Sequence, residues 1–116
     1  MKPSKRDHRV YLEDILAAIG KIEQYTVGGK SVFLEHEMTQ DAVIRQLSII
    51  GEATAKLPAA MKANEPEIPW RSIVGMRNII IHDYSQIKLQ RIWEIVEQDL
   101  LPFKKAVDGI LHRKNA

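Results

Sequence analysis

The chain has 116 residues, no cysteine, 17 Lys plus Arg against 15 Asp plus Glu, and 45% hydrophobic residues. That length suits one domain with a real core, and the composition excludes wholesale disorder, disulfides, thiolate chemistry and Cys-based zinc sites. A net charge of +2 creates no global field that would announce a polyanion partner, so any phosphate site must be local.

Basic residues gather at both ends, Lys2, Lys5, Arg6 and Arg9 at the start and Lys104, Lys105, Arg113 and Lys114 at the finish. The organisation expected is a single helical domain over 1–116 with short basic tails, which serve solubility or touch RNA or a partner. There is no apolar signal core and no apolar run near the roughly 20 residues of a membrane helix, so a cytoplasmic protein is expected.

Taken in chain order, Asp7 stands where an N-cap would, and Leu12, Ile15, Leu16, Ile19 and Ile22 recur at steps of three and four. This predicts a first amphipathic helix ending near Tyr25, with a turn at Gly28 and Gly29. A short helical lead-in is expected over 31–37. From Thr39 as N-cap, Val43, Leu47, Ile50 and Leu57 form a second stripe, with Ile44 and Ile49 off it. A helix apolar on two sides faces the bundle on one and either another core helix or a second subunit on the other.

Asn64-Glu65-Pro66-Glu67-Ile68-Pro69 reads as a loop, because two prolines bias their predecessors away from helical geometry. A third helix should start at Pro69 or Trp70 and run to about His82. The last long helix takes Ile92, Ile95, Val96, Leu100, Phe103, Val107, Ile110 and Leu111 on one face, with a kink at Pro102. Strand alternation and internal repeats are both missing from the sequence. The fold class expected is all-α, an up-and-down bundle of four main helices.

The chemistry concentrates in Arg77-Asn78-Ile79-Ile80-Ile81-His82-Asp83-Tyr84. If the third helix is continuous, Asn78 and His82 share a face and Arg77 nearly eclipses Tyr84, so four polar groups converge beside an isoleucine anchor. Arg77 can grip a phosphate through two parallel hydrogen bonds, and His82 can move a proton near neutrality. Those are the two functions needed to cleave RNA by attack of its own 2′-hydroxyl. Asn78 could orient either group, and Tyr84 could donate a hydrogen bond or stack on a base. The competing reading is that His82, Asp83 and Tyr84 merely cap a helix end, and spacing alone favours it.

Other residues carry less. Glu52, seven after Arg45 on the second helix, either orients Arg77 or pairs with Arg45. Gly51 and Gly75 inside helices suggest close helix approach rather than ligand contact. His36 between Glu35 and Glu37 is a poor metal site, since helical neighbours point to different faces. Trp70 and Trp93 suit core or interface anchoring better than base stacking.

The spacing Arg77-x4-His82-x-Tyr84 resembles the Arg-x4-His-x-Tyr signature of the HepT-like toxins, minimal members of the HEPN superfamily. The stretch Ala-Val-Ile-Arg-Gln-Leu-Ser-Ile-Ile-Gly-Glu-Ala over 42–53 resembles that family's second-helix pattern. Ile68-Pro69-Trp70 through Gly75-Met76-Arg77-Asn78 resembles its approach to the active site, and Asp99-Leu100-Leu101-Pro102 also fits. Ser48 departs mildly, at a position often longer and polar.

The resemblance implies an all-α homodimer in which two Arg-His segments face each other across a cleft. It implies a metal-independent endoribonuclease without cofactor, the toxin of a type II or type VII toxin–antitoxin pair. Arg77 and His82 would be catalytic, with Asn78, the polar residue that follows the family's arginine, in support. Tyr84 would accept AMP groups from an MNT-type nucleotidyltransferase antitoxin, adding bulk and negative charge where RNA phosphate must sit. The alternative is a non-catalytic dimeric helical module that binds the nucleotidyltransferase and is modified by it.

Overall fold

The computed structural model describes residues 7–78 and 86–114. Its elements are α1 (His8–Tyr25), α2 (Gly29–Glu35), α3 (Glu37–Ala55), α4 (Ala59–Ala63) and α5 (Trp70–Gly75). A 3₁₀ turn (Met76–Asn78), α6 (Gln86–Glu94), a π turn (Ile95–Asp99) and α7 (Leu100–Lys114) complete the chain. Among the described residues there is no strand, as the helical periodicity requires for an all-α bundle.

α1 begins as the sequence dictates. The Asp7 carboxylate accepts from the Arg9 backbone N–H at 2.9 Å, satisfying one of the free donors of the first turn. Leu12, Ile15, Ala18, Ile19 and Ile22 face inward and are fully or almost fully buried. The helix stops where Thr26 Oγ1 donates to the Ile22 carbonyl at 2.7 Å, and Gly29 takes φ +88°, which its missing Cβ permits.

The lead-in ends sooner than expected. α2 stops at Glu35, and His36 is extended (φ −119°, ψ 106°), so the Glu35-His36-Glu37 trio straddles a junction. α3 therefore starts at Glu37, with Thr39 inside its first turn and no side-chain N-cap. The anionic Glu37 in that first turn complements the helix dipole instead. The buried Gln40 secures the junction: its Nε2 donates to the Phe33 and Leu34 carbonyls at 2.9 and 3.1 Å.

α3 is the central element, packed against α1, α2, α5 and the 3₁₀ turn. This explains why its apolar residues exceed one stripe. Val43, Ile44, Leu47 and Ile50 are wholly buried, while Ile49 is half-exposed at the edge. The helix ends at Ala55 rather than running through Leu57. Pro58 disfavours helical geometry in the residue before it, and is itself the extended N-cap of α4.

α5 starts at Trp70 after Pro69, as the proline pattern predicts. Trp70 anchors the loop before it, since its indole N–H is within 2.9 and 3.0 Å of the Lys62 and Glu65 carbonyls and its ring meets Phe103 edge-on at 6.0 Å. Phe33 and Trp93, 5.5 Å apart, join α2 to α6. Both tryptophans are thus packing anchors. The distortion expected at Pro102 takes the form of a π turn just before it. The proline ring would clash with the carbonyl four residues earlier, Gln98, and the widened turn contains that residue.

Candidate active site

The third helix is where structure and expectation part most. Its α-helical portion ends at Gly75 and is followed by a tighter 3₁₀ turn over Met76–Asn78. Over that turn the chain advances at three residues per turn instead of the 3.6 of an α-helix. His82 and Tyr84, together with Asp83, lie outside the described residues.

Arg77 and Asn78 are both exposed, on a segment whose position is fixed from below. Met76, buried at 6% exposure, and Ile73 anchor it in the core. Gly51 on α3 then lets the backbone come unusually close: a Cβ there would sit 2.4 Å from the Arg77 backbone nitrogen and 3.0 Å from the Val74 carbonyl oxygen. Only glycine fits beneath Arg77, which is why an intrinsically helix-weakening residue is placed in the middle of α3. Among the described residues no close approach is seen at Gly75, since none of them lies within 4 Å of where its Cβ would be. Gly75 sits instead at the last α-helical residue before the 3₁₀ turn.

The next residue of α3, Glu52, completes the arrangement. Its Oε1 is 3.8 Å from an Arg77 terminal nitrogen, which decides between the two partners open to it in favour of Arg77. The side chains are 43% and 58% exposed, so the pair contributes under about 1 kcal/mol to stability. The carboxylate sits beside one terminal nitrogen of the guanidinium, a group whose planar fork can pair with an oxyanion through two parallel hydrogen bonds.

A groove of about 200 Å³ opens beside Glu52, between α1 and α3, with Tyr11, Asp14, Ser48 and Lys56 in its walls. A larger cavity, about 450 Å³, lies between α5, the π turn and α7 and contains none of the candidate residues. Sequence reasoning did not single out Tyr11 or Lys56. They lie more than forty residues apart in sequence, and only the pairing of α1 with α3 brings them together. Among the described residues no three His, Asp or Glu side chains converge as a metal site would require, and no helix is long and apolar enough to cross a membrane.

The pattern that defines HepT-like proteins, described as "Ribonuclease HepT-like", matches residues 15–110, which takes in α3, Gly51, Arg77 and α7 as far as Ile110. This chain belongs to the HepT-like ribonuclease family. A Thermococcus cleftensis protein named "Probable ribonuclease HepT" is 42% identical over 104 residues, covering 86% of this chain and 92% of the relative. A Methanocaldococcus jannaschii protein whose name reads "Putative RNase" is 38% identical over 106 residues, covering 90% and 97%. No solved structure matches the chain. The Gly51 contact and the Glu52 pair are the two contacts by which α3 positions Arg77.

Proposed function

We propose that this protein is a metal-independent endoribonuclease, the toxin of a toxin–antitoxin pair, acting as a homodimer with Arg77 and His82 as its catalytic residues. The observation that carries this reading is the family membership together with an exposed Arg77 locked over Gly51 and steered by Glu52. His82 takes the proton from a ribose 2′-hydroxyl, and the oxygen attacks the adjacent phosphorus. The bond to the 5′-oxygen breaks, that oxygen is protonated by an imidazolium or solvent, and a 2′,3′-cyclic phosphate remains. Arg77 stabilises the extra negative charge of the pentavalent phosphate, and Asn78 hydrogen-bonds next to it.

Tyr84 is the point of control in this reading. A nucleotidyltransferase antitoxin transfers AMP from ATP to its phenol, whose oxygen bonds to the α-phosphorus as the bond to the β-phosphate breaks and pyrophosphate and the phenol proton leave, and the added phosphate repels RNA from Arg77. The alternative is a non-catalytic module kept for binding that partner, which would cleave no RNA in any variant, whereas the ribonuclease reading expects losses on substitution. Arg77→Ala and His82→Ala should each lower RNA cleavage by about 10²-fold or more with far-UV circular dichroism unchanged, and both should relieve growth inhibition. A purified chain that leaves RNA intact while intact mass spectrometry finds Tyr84 unmodified would remove the ribonuclease reading and favour the binding module.

A further inference from the structure

The outward face of α3 and its C-cap carries a charge pattern that reverses sign when read from the other end. Its residues are Asp41, Arg45, Ser48, Ile49, Glu52 and Lys56, at spacings of four, three, one, three and four, which place all six within one arc of about 100°. Ser48 and Ile49 are half-buried and the other four are exposed. Turning the helix end over end about the point between Ser48 and Ile49 puts Arg45 on Glu52 and Asp41 on Lys56. A surface that is its own charge complement is what a two-fold interface between identical chains requires, since residue i meets j and j meets i.

We infer that α3 pairs antiparallel with α3 of a second copy about this point, so that the partner's Arg45 meets Glu52 beside Arg77. The inference rests on the homodimer proposed above and gives that dimer its face. Within one chain Glu52 takes Arg77 at 3.8 Å, and Arg45 stands about 10 Å back along the helix axis. Asp41 and Lys56 also have contacts within their own chain, so the inner pair of charges carries the interface. A two-fold axis keeps each flank of the helix with its twin. Ile49, on the side of the groove between α1 and α3, meets the partner's Ile49, and the two Arg77 groups, lying over Gly51, open together on the other side. With helix axes about 9 Å apart, the two Glu52 positions come within about 14 Å of each other. In a lone chain Glu52 offsets Arg77, whereas the partner's Arg45 leaves the three groups with one net positive charge to attract a phosphate. The site is complete only in the pair.

The chain has no cysteine, so single cysteines can map the face. Ser48→Cys protein should be joined to itself by a short bismaleimide. Met38→Cys, at an exposed position on the same helix but about 30 Å from its twin in this pairing, should not. Arg45→Glu and Glu52→Arg should each raise the dimer dissociation constant about tenfold or more in sedimentation, with far-UV circular dichroism unchanged. Mixing the two variants should restore a dimer of wild-type affinity, because each then meets its opposite across the axis. A charge pair within one helix could not be repaired by mixing. Crosslinking at Met38 but not at Ser48, or charge variants that both sediment as wild type, would overturn the inference, and the crosslink decides even where a charge variant does not fold. A dimer untouched by all of these changes refutes this face and leaves the homodimer and the ribonuclease reading standing. A monomer that cleaves RNA refutes the homodimer together with this face, and a pair of this form that leaves RNA intact refutes the ribonuclease reading alone.

Discussion

Gly51 shows how one missing methyl group can organise a site. Replacing glycine by alanine inside a helix ordinarily gains about 1 kcal/mol of helix propensity. Here the new Cβ would meet backbone, 2.4 Å from the Arg77 nitrogen, and backbone cannot step aside as a flexible side chain can. Overpacking of this kind costs about 1–3 kcal/mol, so strain should win. Gly51→Ala is expected to lower the urea midpoint of unfolding and to displace Arg77, reducing cleavage more than its stability loss explains; a stabilised, fully active variant would show that α5 is not held this tightly. The sequence flagged Gly51 for close packing and named Glu52 as a possible support. Which backbone lies on Gly51, and which arginine Glu52 meets, required contacts between residues some 25 positions apart.

At the scale of elements, buried polar junctions matter as much as apolar stripes. Gln40 is 6% exposed and its amide N–H groups serve two carbonyls at the end of α2. Gln40→Leu would add apolar burial yet strand both acceptors away from water. Since an unsatisfied buried group costs about 1–3 kcal/mol, the variant should be destabilised, most visibly as faster hydrogen exchange in α2 and the first turn of α3. An equally protected variant would mean that the carbonyls find other donors. The sequence did not disclose this role, because glutamine at that position looks like an ordinary surface residue of an amphipathic helix. The helix stops tell a similar story. Pro58 and Pro102 mark real interruptions, but whether the chain answers with a new N-cap or a π turn depends on what packs on either side.

For the whole molecule, the described residues bury one continuous core, running from Leu12 through α3 to Ile110. The proposed homodimer adds a thermodynamic consequence. If two subunits bind only in the folded state, apparent stability must rise with protein concentration by mass action. Tm should therefore increase across a hundredfold range of concentration, and specific activity should fall on dilution as the cleft comes apart. A Tm and specific activity independent of concentration, at dilutions where sedimentation finds monomer, would require each subunit to carry a complete site.

The sequence by itself determined the all-α class, the inward faces of α1, α3 and the C-terminal helix, the start of α5 at Pro69 and Trp70, and the family. Those features are written in local periodicity, capping residues and short motifs, which depend on neighbours in the chain. Only the tertiary structure decided that the third helix turns 3₁₀ at Met76, that Gly51 lies under Arg77, and that Tyr11 and Lys56 share a groove. Each of these depends on how closely separate helices approach. That distance is set by side-chain volumes on both partners at once, and no single stretch of sequence contains it.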